Sequence, residues 1–125
     1  MKLHLDYQVP DPPFKINYED ELLLIGSCFT EHIGHRLQAR KFKSQVNPFG
    51  HVFNPSSMAK VMERMLSKTL FTDADLIFHE GLWHAWDAHG DFSKANKQEL
   101  LNTLNDTLTD WYQFIRNAGT LVLVS

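Results

Sequence analysis

The sequence has little of several features that would mark a specialised class of protein. It contains one cysteine among 125 residues, which excludes an internal disulfide and a cysteine-based metal cluster. No stretch approaches the roughly 18 consecutive apolar residues of a membrane-spanning helix, and the N-terminus lacks the long apolar segment of a secretory signal. We therefore expect a soluble, cytoplasmic protein with no membrane partner.

Positive charge is also scarce. The chain has 12 lysines and arginines against 15 aspartates and glutamates, a formal net charge of −3, whereas a nucleic-acid-binding domain usually carries a basic patch. A small basic cluster at Arg36, Arg40, Lys41 and Lys43 is interpreted as the solvated end of a helix. We expect no nucleic-acid partner, and no pattern in the chain predicts a cofactor.

The rest of the composition is that of one ordinary globular domain. Hydrophobic residues make up 43% and charged residues 22% of the chain, and 125 residues suffice for a single domain with a modest core. Residues 1–20 contain three prolines and predict an extended N-terminal arm on the domain surface.

Apolar periodicity predicts alternating strands and helices. Residues 22–26 form an apolar run typical of a buried strand, and Phe29, Ile33 and Leu37 recur at helical spacing within a helix over 29–40. The remaining predicted elements are a weak strand at 43–46, helices at 58–67 and 97–117, a β-hairpin at 76–79 and 82–86, and a strand at 119–125. This order predicts an α/β fold, a three-layer sandwich with a short parallel sheet and a hairpin insertion.

Two nucleophilic side chains follow the first predicted strand. The apolar run ends at Gly26, and Ser27 and Cys28 come directly before the helix. Such a strand-turn-helix elbow places them at a helix N-terminus, where free N–H groups and the dipole favour negative charge. A thiol is intrinsically nucleophilic, whereas a serine hydroxyl needs a base. The alternative is that Cys28 packs as a small buried side chain and Ser27 only caps the helix.

This elbow also supports a family resemblance. The run Leu22-Leu23-Leu24-Ile25-Gly26-Ser27-Cys28-Phe29-Thr30-Glu31 resembles the GSCFA family, a bacterial group related to the SGNH (GDSL-like) hydrolases. Further segments resemble the same family: Pro12-Pro13-Phe14-Lys15-Ile16, Asn47-Pro48-Phe49-Gly50, Phe53-Asn54-Pro55, and Gly81-Leu82-Trp83-His84 with Asp87 and His89. Thr30 stands where the family motif has alanine. The resemblance implies an SGNH/flavodoxin-like fold and a hydrolase or acyltransferase of ester bonds, with acylated carbohydrates among the candidate substrates.

The resemblance also implies roles for individual residues. In an ungapped GDSL register Cys28 is the nucleophile, and a register shifted by one residue selects Ser27; both stay open. Gly50 would donate its backbone N–H to the oxyanion, and Asn47 would add an amide donor or brace the loop.

Several histidines are candidates for substrate contacts. His51 is nearest in sequence to the expected site, and His84 and His89 belong to the family segment, so all three are predicted to contact substrate. We predict no metal at His84, Asp87 and His89, because their spacing matches no ligand motif. His32, four residues after Cys28, is interpreted as an exposed polar position.

The predicted strand at 119–125 suggests that the fold is incomplete. We expect the chain to be the N-terminal part of a GSCFA domain, with the catalytic histidine and a further oxyanion donor lying beyond it. An exposed strand edge also predicts self-association. The alternative to an enzyme is a non-catalytic binding or scaffolding domain with the same α/β fold.

Overall fold

The computed structural model describes residues 3–118 and 121–124, and within them the predicted alternation of strands and helices is confirmed. In chain order the elements are β1 (Glu21–Leu24), α1 (Cys28–Ala39), β2 (Lys43–Val46), α2 (Pro55–Ser67), β3 (Leu76–His79), β4 (Leu82–Ala85), α3 (Lys97–Asn117) and β5 (Leu121–Val124). Short 3-10 turns at Asp73–Asp75 and Gly90–Phe92 flank the β3–β4 hairpin. The other positions of the predicted last strand, 119, 120 and 125, lie outside the described residues.

The predicted parallel sheet is present and has β1 at its centre. Its strand order is β2-β1-β5, and both pairings of β1 are parallel, with Leu22 opposite Ser44 and opposite Val122. The residues from Leu22 to Ile25 are at most 1% exposed, as expected for a parallel strand covered on both faces. The β3–β4 hairpin forms a separate antiparallel pair.

Helices cover both faces of the sheet, which gives the predicted three-layer sandwich. On one face, Gly34 of α1 approaches the side chains of Leu24 and Val46 so closely that a Cβ would clash with Val46. On the other face, Leu23 and Ile25 join the main core with residues of α2 and α3: Val61, Met65, Leu100, Leu104 and Leu108. Burying each such large aliphatic side chain contributes about 1.5–3 kcal/mol.

The buried face of α1 differs from the prediction. Phe29 is 69% exposed, whereas Thr30 and Gly34 are the buried residues of this helix. The helix contacts the sheet through Gly34, where the missing side chain allows close approach, and Ser44 Oγ donates a 2.9 Å hydrogen bond to the Gly34 carbonyl. This contact turns Phe29 away from the core.

Residues 3–19 run along the outside as exposed, irregular chain. The Tyr18 ring stacks on the Phe42 ring with centroids 4.5 Å apart. Within the described residues, no helix combines the length and apolar character required to cross a membrane.

Candidate functional site

The candidate site lies where β1 and β2 end at the same edge of the sheet. In the sheet, β2 lies on one side of β1 and β5 lies on the other side. The connections of an open parallel sheet that lead to opposite sides of a central strand leave a crevice at the carboxyl ends of the strands, which is the usual position for ligands. The elbow follows β1 and the Asn47–Gly50 loop follows β2, so both face this edge.

The elbow forms as the sequence predicts. Ser27 occupies the N-cap position of α1 with an extended backbone, and Cys28 is the first residue of the helix. The Ser27 hydroxyl makes no capping hydrogen bond, and the Cys28 side chain is exposed. The interpretation of Cys28 as a buried packing residue is therefore wrong. Gly26 is required at the bend, because a Cβ there would clash with Thr30 Oγ1.

Asn47 ties the second loop to the elbow. Its backbone N–H donates to the Leu24 carbonyl at 2.9 Å, and its side-chain Oδ1 accepts a 2.8 Å hydrogen bond from the Gly26 N–H. Its Nδ2 is buried and has no hydrogen-bond partner among the described residues. A buried amide donor without a partner is costly, and Asn47 is also one of the residues that line the cavity at this edge of the sheet.

Gly50 closes the turn that begins at Asn47. Its N–H donates a 3.0 Å hydrogen bond to the Asn47 carbonyl, so an oxyanion role for this N–H would require that bond to open or be shared. Its φ of 81° favours glycine, and a Cβ at this position would clash with the Cβ of His89. Gly50 therefore allows His89 to approach the loop, and the His89 N–H donates to the Phe49 carbonyl at 2.8 Å.

A cavity of about 200 Å³ opens beside this loop. Its lining residues are Glu31, Val46, Asn47, Gly50, His51, His89 and Asp91. The His51 Nε2 is hydrogen-bonded to Glu31 Oε2, and the His89 Nδ1 lies 3.2 Å from an Asp91 carboxylate oxygen. The two imidazole rings meet edge to face with centroids 5.6 Å apart. The His89 Nδ1 also accepts a 3.2 Å hydrogen bond from the Asp91 N–H, so of the two histidines only His51 is held by a carboxylate. Two of the predicted substrate contacts, His51 and His89, line the cavity together with Asn47, whereas Ser27 and Cys28 are not among its lining residues.

Glu31 is a site residue that the sequence interpretation missed. The hydrogen bond with His51 lowers the pKa of Glu31, although partial desolvation opposes this shift. Glu31 is therefore ionised at neutral pH and orients the His51 ring. The sequence signal that could have identified Glu31 as a site residue was its position four residues after Ser27, which places it one helical turn further along α1. The adjacent His32 is exposed and does not line the cavity.

A family model described as the GSCFA family matches residues 21–124. The chain belongs to the GSCFA family. The matched region contains the elbow, the Asn47–Gly50 loop and the hairpin, and the match indicates a hydrolase-like domain. Searches among characterised proteins and among solved structures gave no significant match.

His84 lies elsewhere in this GSCFA chain, on β4. Its Nδ1 is 2.6 Å from the Ser93 hydroxyl and its Nε2 is 3.2 Å from the His79 carbonyl oxygen. It lines a shallow depression on the hairpin and not the cavity at the sheet edge. A substrate contact by His84 stays a prediction. Among residues 3–118 and 121–124, no group of three potential metal ligands converges.

Proposed function

We propose that this GSCFA protein hydrolyses esters or transfers their acyl groups through a nucleophile in the Ser27–Cys28 elbow, with acylated carbohydrates as its substrates. The single observation that best supports this proposal is the buried Nδ2 of Asn47. The Asn47 side chain is held by the Gly26 N–H directly before the two nucleophiles. Acyl transfer requires a fixed donor for its developing oxyanion, and this hydrogen bond fixes the Asn47 side chain to the residue that precedes both nucleophiles.

The proposed reaction begins when the Ser27 oxygen or the Cys28 sulfur forms a bond to the ester carbonyl carbon. The carbonyl π electrons move onto oxygen, where Asn47 Nδ2–H and the free N–H groups of the first turn of α1 stabilise the charge. Collapse of this intermediate breaks the bond to the alcohol, which leaves with the proton released by the nucleophile. Water or a second alcohol then attacks the acyl-enzyme, releasing the acid or the new ester.

Separate substitution of the two nucleophiles tests this proposal. The full-length protein is assayed on p-nitrophenyl acetate and on an acetylated sugar, as wild type, Ser27→Ala and Cys28→Ala. We expect one variant to lose activity by about a thousandfold or more and the other to retain most of it. His35→Ala is the matched control, because His35 is exposed on the same helix; thermal unfolding verifies that every variant is folded.

A third variant tests the donor. Asn47→Asp retains an oxygen acceptor for the Gly26 N–H but removes the amide donor, and should lower kcat by about a hundredfold or more. Full activity in both Ser27→Ala and Cys28→Ala would refute the elbow mechanism, whereas a wild-type protein without esterase activity would favour a non-catalytic binding domain.

A further inference from the structure

A second concave surface adjoins the cavity beside the Asn47–Gly50 loop. This groove has a volume of about 420 Å³ and meets the first cavity at His51 and His89, which line both. The other groove residues come from the loop before α2, the start of α2 and the segment after β4, and they include Phe53, Asn54, Ser57, Trp86 and Asp87. The acyl-transfer mechanism proposed above uses none of these additional residues.

Two large aromatic side chains of the groove are exposed to solvent. Phe53 is 71% exposed and Trp86 is 72% exposed, whereas the neighbouring Phe49 is buried. One exposed aromatic residue is ordinary, but two that line the same groove form an apolar surface whose coverage by a ligand would be favourable. Their flat rings provide a stacking surface.

The polar groups of the groove are suited to hydroxyl groups. Asp87 supplies a carboxylate acceptor and Ser57 a hydroxyl. The Asn54 Oδ1 is occupied by the Ser56 N–H, which leaves the Asn54 amide N–H groups for a ligand. Among the described residues lining the groove, none is lysine or arginine, so the groove lacks the cations that phosphate recognition uses.

We propose that this groove is a carbohydrate subsite in which Phe53 and Trp86 stack on the apolar C–H face of a pyranose ring. Asp87, Ser57 and Asn54 bind the ring hydroxyls. A pyranose presents an apolar face and a polar rim together, which matches this combination of side chains, whereas an acyl chain has no groups for the polar ones. This assignment rests on the proposed function in one respect, namely that the bound sugar carries the ester. Sugar binding itself does not depend on catalysis.

NMR of the tryptophan indole N–H groups in the full-length protein tests the subsite. The probes are cellobiose and N,N′-diacetylchitobiose, titrated to about 20 mM, a range that detects millimolar affinity. We expect at least one sugar to shift the Trp86 signal, assigned by its loss in Trp86→Phe, and to leave the partly buried Trp111 signal in place. Phe53→Ala should weaken binding about five-fold. Phe78→Ala, which removes an exposed aromatic side chain outside the groove, should leave the affinity unchanged.

The outcomes separate the subsite from the catalytic proposal. No shift with either sugar, or equal weakening by Phe78→Ala and Phe53→Ala, would overturn the subsite. A shift of the Trp86 signal by hexanoate and not by the sugars would also overturn it and assign the groove to the acyl group. Sugar binding in a protein without esterase activity would support the subsite and refute only the elbow mechanism.

Discussion

At the scale of single residues, Asn47 couples the two loops that make up the site. Its positive φ of 46° is a conformation that asparagine tolerates better than most residues. This turn of the backbone allows the side chain to reach the Gly26 N–H at 2.8 Å. The sequence interpretation offered Asn47 as a brace or as a donor. Its Oδ1 braces the elbow, and its donor role stays a prediction that rests on Nδ2 having no partner among the described residues.

The Glu31–His51 pair leads to a prediction about acid stability. The pKa of Glu31 is lowered from its usual value of 4.5, first by the hydrogen bond with His51. As the pH falls, the unfolded chain therefore takes up the Glu31 proton before the folded chain does, so the stabilising effect is complete above pH 4.5 and disappears below it. Glu31→Gln should lower the Tm near neutral pH, and the Tm values of variant and wild type should converge as the pH drops below 4.5.

Thermal unfolding followed by circular dichroism across this pH range measures the convergence. Glu63→Gln is the matched control, because Glu63 is an exposed glutamate on α2 that forms no ion pair with the other residues that the structure describes. A constant Tm difference between Glu31→Gln and wild type at all pH values would contradict the prediction.

At the scale of elements, the local sequence predicted most of the structure. The β1 strand, the hairpin and α3 follow from apolar runs, turn residues and a helical apolar stripe, because each signal is contained in its own segment. The buried face of α1 did not follow, since large apolar residues dominate such a pattern whereas Gly34 makes the contact with the sheet. The Glu31–His51 pair was equally out of reach, because it joins residues 20 positions apart that meet only in the folded chain.

One contact between elements has a measurable energetic consequence. Asn105 of α3 accepts a 2.7 Å hydrogen bond from the Phe71 N–H and donates a 3.1 Å hydrogen bond to the Phe71 carbonyl. These bonds satisfy both backbone groups of a buried residue in the segment between α2 and the hairpin. Asn105→Ala should therefore lower the free energy of unfolding by about 2–3 kcal/mol, since it leaves two backbone groups unsatisfied.

Urea unfolding monitored by tryptophan fluorescence measures this loss. Asn102→Ala is the control, because Asn102 is an exposed residue on the same helix and its side-chain bond is to Gln98. Equal destabilisation by the two substitutions would indicate a general effect on α3 and would argue against the specific role of Asn105.

At the scale of the whole molecule, the parallel sheet and the segment after the hairpin together position the site. The central strand β1 leads into the elbow, β2 leads into the Asn47 loop, and the segment after the hairpin brings His89 against that loop. The family match over residues 21–124 spans all of these elements. A change that shifts β2 against β1 would therefore move Asn47 relative to Ser27 and Cys28.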